Sequence, residues 1–199
     1  MPALRLILAD QLSESLPTLK DIDTQHDTVL LCELNEEASY VKHHPKKIAF
    51  LFAAMRHFAQ QLSNKGYRVR YVKLDDVGNT GSFTGELKRA LVELKPDKIV
   101  VTEPGEYRVL KMMQSWQSEL GIPVEILPDS RFLASHAEFA DWADDKKQLR
   151  MEYFYRVMRK KYVILMDADG KPVGGEWNYD KQNRKPPKAG MKSPARISH

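Results

Sequence analysis

The sequence predicts an α/β protein: a doubly wound, Rossmann-like five-stranded parallel sheet with helices on both faces, plus a helical C-terminal appendage. Three observations carry this. Short runs that are apolar along most of their length alternate with segments of helical periodicity. Such runs suit strands covered on both sides, as in parallel sheets. The helical segments have the length that right-handed βαβ connections need, and two end at glycines, Gly66 and Gly121.

The elements follow in order. Residues 4–10 (LRLILAD) form a continuous apolar strand ending on an acid, and residues 28–34 (TVLLCEL) a second. From Pro45 to Asn64, apolar Ile48, Leu51, Phe52, Met55, Phe58, Ala59 and Leu62 recur at spacings of three and four, one face of a helix. Residues 67–74 alternate as a third strand. Leu87, Ala90, Leu91 and Leu94 repeat the helical spacing, with Ser82 or Thr84 as the cap. A fourth strand spans 97–103, and Val109, Met112, Met113, Trp116 and Leu120 make another helical stripe before Gly121 and Pro123. Residues 123–128 complete the sheet.

These elements predict three regions: an α/β domain over 1–130, a helical appendage or interdomain connection over 131–180, and a basic, disordered tail over 181–199. In the appendage, Ser135 with Glu138 three residues on forms a capping box. Leu149, Tyr153, Phe154, Val157 and Met158 then mark the apolar side of a further helix, and Asp169-Gly170 favours a tight turn. The tail holds prolines and cations with almost no large apolar side chains.

Charge argues against a broad nucleic-acid face. The net charge is +4, but six of the 31 Lys and Arg lie beyond residue 180, where there is no Asp or Glu; the remaining 25 against 27 acids leave the rest at −2. No run of eighteen apolar residues exists, so no membrane span is expected, and the opening residues do not read as a signal peptide. Cys32 is the only cysteine, which rules out an internal disulfide and a four-cysteine iron–sulfur cluster in this chain. A reducing, cytoplasmic location is expected.

In an open α/β sheet, ligands bind beyond the carboxyl ends of the strands, where strand order reverses. The residues following the strands are Asp10 and Gln11, then Asn35, Glu36 and Glu37, then Asp75 and Asp76, then Glu103, Pro104, Gly105 and Glu106. Neither GxGxxG nor GxxxxGK[ST] occurs, so a dinucleotide or nucleoside triphosphate, and with it an ATP-using transferase, is not expected. Carboxylates and amides suit a neutral heteroaromatic ring or sugar-like hydroxyls. Acids after strands also stabilise the helices that follow, and the sequence leaves both roles open. His43 and His44 are adjacent, so they do not form an i, i+4 metal pair, and no metal is expected. Phe50 and Leu51 are expected to face inward from the long helix, packing in the core or forming an apolar floor. Trp116 and Trp142 read as core; Trp177, after Gly174-Gly175, reads as a docking residue.

Several longer stretches carry a resemblance. LILADQLSESL (6–16), EEASYVKHHPKKIAFLFAAMRHFA (36–59), LDDVGNTGSFTGEL (74–87) and EPGEYRV (103–109) resemble, in order, the photolyase-related proteins of the iron–sulfur bacterial cryptochrome and photolyase, or (6-4) photolyase, branch. DSRFLASHAEFADWA (129–143), LRMEYFYRVMRKK (149–161) and GGEWNYDKQNRK (174–185) continue the likeness, which covers residues 4–187.

The resemblance implies an amino-terminal domain that holds an antenna chromophore, 6,7-dimethyl-8-ribityllumazine, at Asp10, Gln11, Glu37, Gly105 and Glu106. It implies energy transfer to a flavin adenine dinucleotide (FAD) in a helical carboxyl-terminal domain that also carries a 4Fe-4S cluster and meets damaged DNA, in light-dependent repair or light sensing. This sequence stops where the family's chain crosses into that domain, so FAD, cluster and lesion are expected only with the missing part. No catalytic residue is assigned here, and the chain alone is not expected to catalyse photorepair. The alternative is a stand-alone interaction module that has lost its cofactor and serves a partner or a homodimer.

Overall fold

A computed structural model describes residues 1–184, 186 and 188–192. The chain divides into two compact units, Met1–Phe132 and Leu133–His199.

In the first unit, β1 (Ala3–Leu6), β2 (Thr28–Cys32), β3 (Val69–Val72), β4 (Lys98–Thr102) and β5 (Val124–Leu127) form one sheet in the order β3-β2-β1-β4-β5. All pairs are parallel, with Leu4 opposite Thr28 on one side and Ile99 on the other. The strands are shorter than the apolar runs predict because their ends continue as loops at the rim.

Alternation along the strands feeds a separate core on each face. Leu4, Leu6, Leu8, Leu30, Cys32 and Leu34 pack with Phe83, Leu87, Val109, Met113 and Trp116. These come from α3 (Phe83–Leu94) and α4 (Tyr107–Leu120). Ile7, Val29 and Leu31 pack on the other face with Met55, Phe58, Ala59 and Leu62 of α2 (Pro45–Asn64), and with Leu16 and Leu19 of a 3-10 turn. Helices therefore cover both faces, which makes the sheet doubly wound.

Local chemistry sets the helix limits. The side chain of Ser82 caps α3 by accepting from Gly85 N, and His44 caps α2 by accepting from Lys46 N. Gly121 ends α4 at φ 66° and Gly66 follows α2 at φ 85°, the left-handed region that favours glycine. Trp116 is fully buried, and its indole N–H donates to Thr84 Oγ1 at 2.9 Å. One short helix was not anticipated: α1 (Asn35–Ser39), directly after β2.

The second unit holds α5 (His136–Ala143), α6 (Met151–Tyr162) and α7 (Asp180–Asn183). The capping box forms as the sequence predicts: Ser135 Oγ accepts from Glu138 N at 3.1 Å and Glu138 Oε2 from Ser135 N at 3.0 Å. Phe154 packs edge-on against Phe139, with centroids 5.1 Å apart, and beside Trp142 at 5.0 Å. Of the expected apolar side of α6, Phe154 is buried and Met158 half-buried, but Tyr153, Val157 and Leu149 ahead of the helix are exposed, and Arg159 is buried instead. Arg159 is satisfied there by the carbonyls of Ile164 and Leu165. The turn falls at Asp167–Gly170, closed by a bridge between Met166 and Pro172. Of the stretch 181–199 expected to be disordered, residues 181–183 instead belong to α7, and residues 185, 187 and 193–199 lie outside the described residues.

Candidate functional site

The strand order reverses between β1 and β4, and a cavity of about 260 Å³ opens there. Four connections build it. Leu8, Ala9 and Asp10 follow β1; Cys32, Leu34, Glu37 and Tyr40 come from β2 and α1; Pro104, Glu106 and Val109 come from β4 and α4. Helix α2 contributes Lys47, Leu51, Phe52 and Met55. The floor is apolar, and the polar groups are at the mouth.

Each expected site residue has a definite place. Asp10, Glu37 and Glu106 line the cavity. Gln11 does not; it is buried, and its amide N–H groups donate to the carbonyls of Thr102 and Glu103, each at 3.2 Å. It thus ties the carboxyl ends of β1 and β4 together, and this tie shapes the cavity from behind. Gly105 is exposed on the rim, also outside the lining, and a side chain there would meet nothing within 4 Å. Of the two floor candidates, Leu51 lines the cavity but Phe50 is 73% exposed. The helix turns about 100° per residue, so the residue before Leu51 points away from it.

The residue that sequence reasoning missed is Arg108, in the first turn of α4. Its Nη1 and Nη2 donate to Glu37 Oε1 and Oε2 at 3.0 and 2.8 Å, and its Nε donates to Glu106 Oε1 at 2.8 Å. Its guanidinium carbon also lies 4.4 Å from the centre of the Tyr40 ring. The hydrogen bonds it donates to Glu37 and Glu106 hold the guanidinium well above its ordinary pKa. Glu106 occupies the N-cap position of α4 but makes no capping hydrogen bond, so its carboxylate belongs to this ion-pair group. A signal did exist: a cation in the first helical turn opposes the helix dipole and calls for a local partner.

Behind the cavity, Glu33 is fully buried and receives hydrogen bonds from Arg56 Nε (2.6 Å), Tyr71 Oη (2.6 Å) and Leu74 N (2.9 Å). Burial pushes its carboxyl up, but these bonds outweigh burial and leave it below its usual range. The network pins α2 to the sheet. On the other side, Arg131, paired with Asp129, donates to the Asp10 carbonyl at 3.2 Å. Cys32 lies on the floor, where burial first and the nearby Glu86 second push its thiol up, away from the reactive thiolate. His43 sits at the mouth, edge-on to Tyr40 with centroids 5.6 Å apart.

Among the described residues, no three His, Cys, Asp or Glu side chains are grouped to hold a metal ion, and no helix is long and apolar enough to cross a membrane.

The sheet order and the cavity define a doubly wound α/β domain with a ligand-sized crevice at its topological switch point. The chain belongs to the photolyase-related family, described as deoxyribodipyrimidine photo-lyase-related protein, which matches residues 5–199. It is 54% identical over 194 residues to a protein named (6-4) photolyase from Agrobacterium fabrum (strain C58 / ATCC 33970). That match covers 98% of this chain but 38% of the relative, so the chain spans little more than a third of that relative's length. It is also 24% identical over 146 residues to the uncharacterized protein R852 of Acanthamoeba polyphaga mimivirus, covering 69% of each.

Proposed function

We propose that the chain is the antenna domain of a photolyase-related protein and holds a ribityl-lumazine in the switch-point cavity. One observation carries the reading: the cavity combines an apolar bed (Leu8, Leu34, Phe52, Met55) with carboxylates at its mouth (Asp10, Glu37, Glu106). A flat heteroaromatic ring needs the first and a polyol chain needs the second. At about 260 Å³ the cavity lies just below the roughly 300–1,000 Å³ usual for small-molecule sites, which suits a compact bicyclic ring better than a dinucleotide. The residues present therefore fit the group. When bound, the chromophore absorbs light and passes its excitation energy to a flavin; the protein's part is to hold the ring, exclude water and shape its electrostatic surroundings.

On this reading the flavin, the 4Fe-4S cluster and contact with damaged DNA belong to a helical carboxyl-terminal domain. The whole protein serves light-dependent DNA repair or light sensing in the cytoplasm. Residues 1–130 would be the antenna domain and 131–180 the connection to its helical partner. The 54% identity to a (6-4) photolyase supports the family context.

The test is an absorption and emission spectrum of the purified chain, before and after ribityl-lumazine is added and the excess removed. A retained band with quenched or shifted emission is expected. No retained band from a folded sample would overturn the antenna reading. It would favour the second one, a partner-binding or dimerising module. Exposed apolar Met151, Val163, Leu165 and Val173 of the second unit support that alternative.

A further inference from the structure

Three features outside the cavity lining invite a role: the groove around Trp177, the buried Glu33 network, and Arg108. Only Arg108 bears on several cavity-lining side chains at once. It lies outside the lining, yet three residues that do line the cavity, Glu37, Tyr40 and Glu106, all contact it.

Helix α1, which carries Glu37 just ahead of Tyr40, is weakly held by everything else. It has five residues, buries none of them, and has no side-chain cap at its start. A helix of that length does not persist on its own. Its backbone is tied to the neighbouring loop where Glu36 N donates to Gly81 O at 3.0 Å. On the cavity side, the hold is the two-pronged pair between Glu37 and Arg108. Two parallel charge-assisted bonds fix orientation as well as distance, which a lysine ammonium cannot reproduce. The remaining Nε reaches Glu106 on the far side of the mouth, so one guanidinium sets the spacing of two carboxylates that would otherwise repel.

We infer that Arg108 is the positioning residue of the cavity, joining Glu37, Glu106 and Tyr40 into a single wall. The inference rests on reading the cavity as a ligand site. It extends that reading by giving the ligand-facing carboxylates their place and their charge partner. Arg108 itself is not required to touch the ligand. The wall it makes presents carboxylate oxygens already shared with a cation, which suits a neutral hydrogen-bond donor such as a ring N–H or a hydroxyl.

The experiment compares the full chain with Arg108→Ala and Arg108→Lys, using hydrogen exchange without ligand and ribityl-lumazine affinity by fluorescence titration. The amides to follow are those of Ala38 and Tyr40, which close α1 onto Leu34 and Glu36, against those of Val29 and Leu31 in β2 as the internal reference. In Arg108→Ala, exchange at Ala38 and Tyr40 is expected to rise at least about tenfold while β2 stays protected, and the Kd to rise at least about tenfold. Arg108→Lys should fall between. Unchanged exchange in α1 would overturn the inference whatever the titration shows, and so would a rise shared equally by β2. Faster α1 exchange with an unchanged Kd would overturn the positioning role. If the wild-type chain binds no lumazine, the antenna reading fails, while the exchange data still decide whether Arg108 holds the wall.

Discussion

Arg56 and Glu33 meet through two hydrogen bonds, Nε to Oε1 at 2.6 Å and Nη2 to Oε2 at 2.8 Å, although the arginine side chain is half exposed and the glutamate fully buried. The pair joins the outer side of α2 to the end of β2, and so sets where Phe52 and Met55 stand in the cavity. Because Glu33 titrates below its usual range when folded, it stabilises the fold above the unfolded carboxyl pKa of about 4.3. That contribution is lost as pH falls through the lower, folded value. Arg56→Ala should reduce stability by about 2 kcal/mol at neutral pH, and by less below pH 4, in urea titrations run at both pH values. An equal loss at both would disprove the linkage.

Glu37→Gln keeps the size of the side chain and removes its charge. Lumazine retention should fall while the far-ultraviolet circular dichroism and the melting temperature change little, because Glu37 is on a half-exposed helix that buries no side chain. Equal retention would remove Glu37 from the ligand's contacts.

Lys95 ends α3 in the left-handed region, at φ 48° and ψ 53°, where a side chain is strained. Lys95→Gly should therefore stabilise the protein by roughly 0.5–1 kcal/mol, offset in part by the greater freedom of glycine in the unfolded chain. Thermal melts of the two proteins decide it, and a lower melting temperature for the glycine variant would contradict the assignment.

Cys32 should resist alkylation at pH 8 in the folded protein, since burial disfavours its thiolate, and should react quickly once the chain is unfolded in urea. Rapid labelling of the native protein would mean that the cavity floor opens far more readily than its packing implies.

Arg159→Ala should destabilise the second unit alone. The guanidinium is buried and donates to the carbonyls of Ile164 and Leu165, beside two non-glycine residues at positive φ, Val163 and Leu165. Losing those bonds should cost about 2 kcal/mol. Trp177, whose ring lies 5.2 Å from the Arg159 guanidinium carbon, gives a local probe. Limited proteolysis should cut faster after residue 132 and no faster before it; faster cutting in both units would refute the separation.

The sheet and its helices were legible because buried parallel strands must be apolar nearly throughout, and because helices facing them must repeat every three to four residues. Gly66, Gly121, Ser82 and the Ser135–Glu138 box marked ends for chemical reasons that act within a few residues. The rim was legible at Asp10, Glu37 and Glu106, since topology alone brings the ends of β1, β2 and β4 together. The partners were not. Arg108 lies 71 residues from Glu37, and no local pattern encodes a pair so far apart. Gln11 had the right position and a different task, because a buried amide beside the carbonyls of Thr102 and Glu103 hydrogen-bonds them first. In α6 the error was physical too: tyrosines and valines on a helical stripe do not bury themselves without a surface to meet.

The central pairing of β1 with β4 joins residues 3–6 to residues 98–101, so the crevice cannot exist until a long stretch of chain has closed on itself. Such closure is slow compared with forming any one helix. A partly made chain ending before residue 98 could pair β1 with β2 and β2 with β3 and still offer nothing to bind. Occupancy of the crevice therefore certifies completed folding, and a molecule bound there stabilises the finished domain alone, by mass action, without helping any state that precedes it.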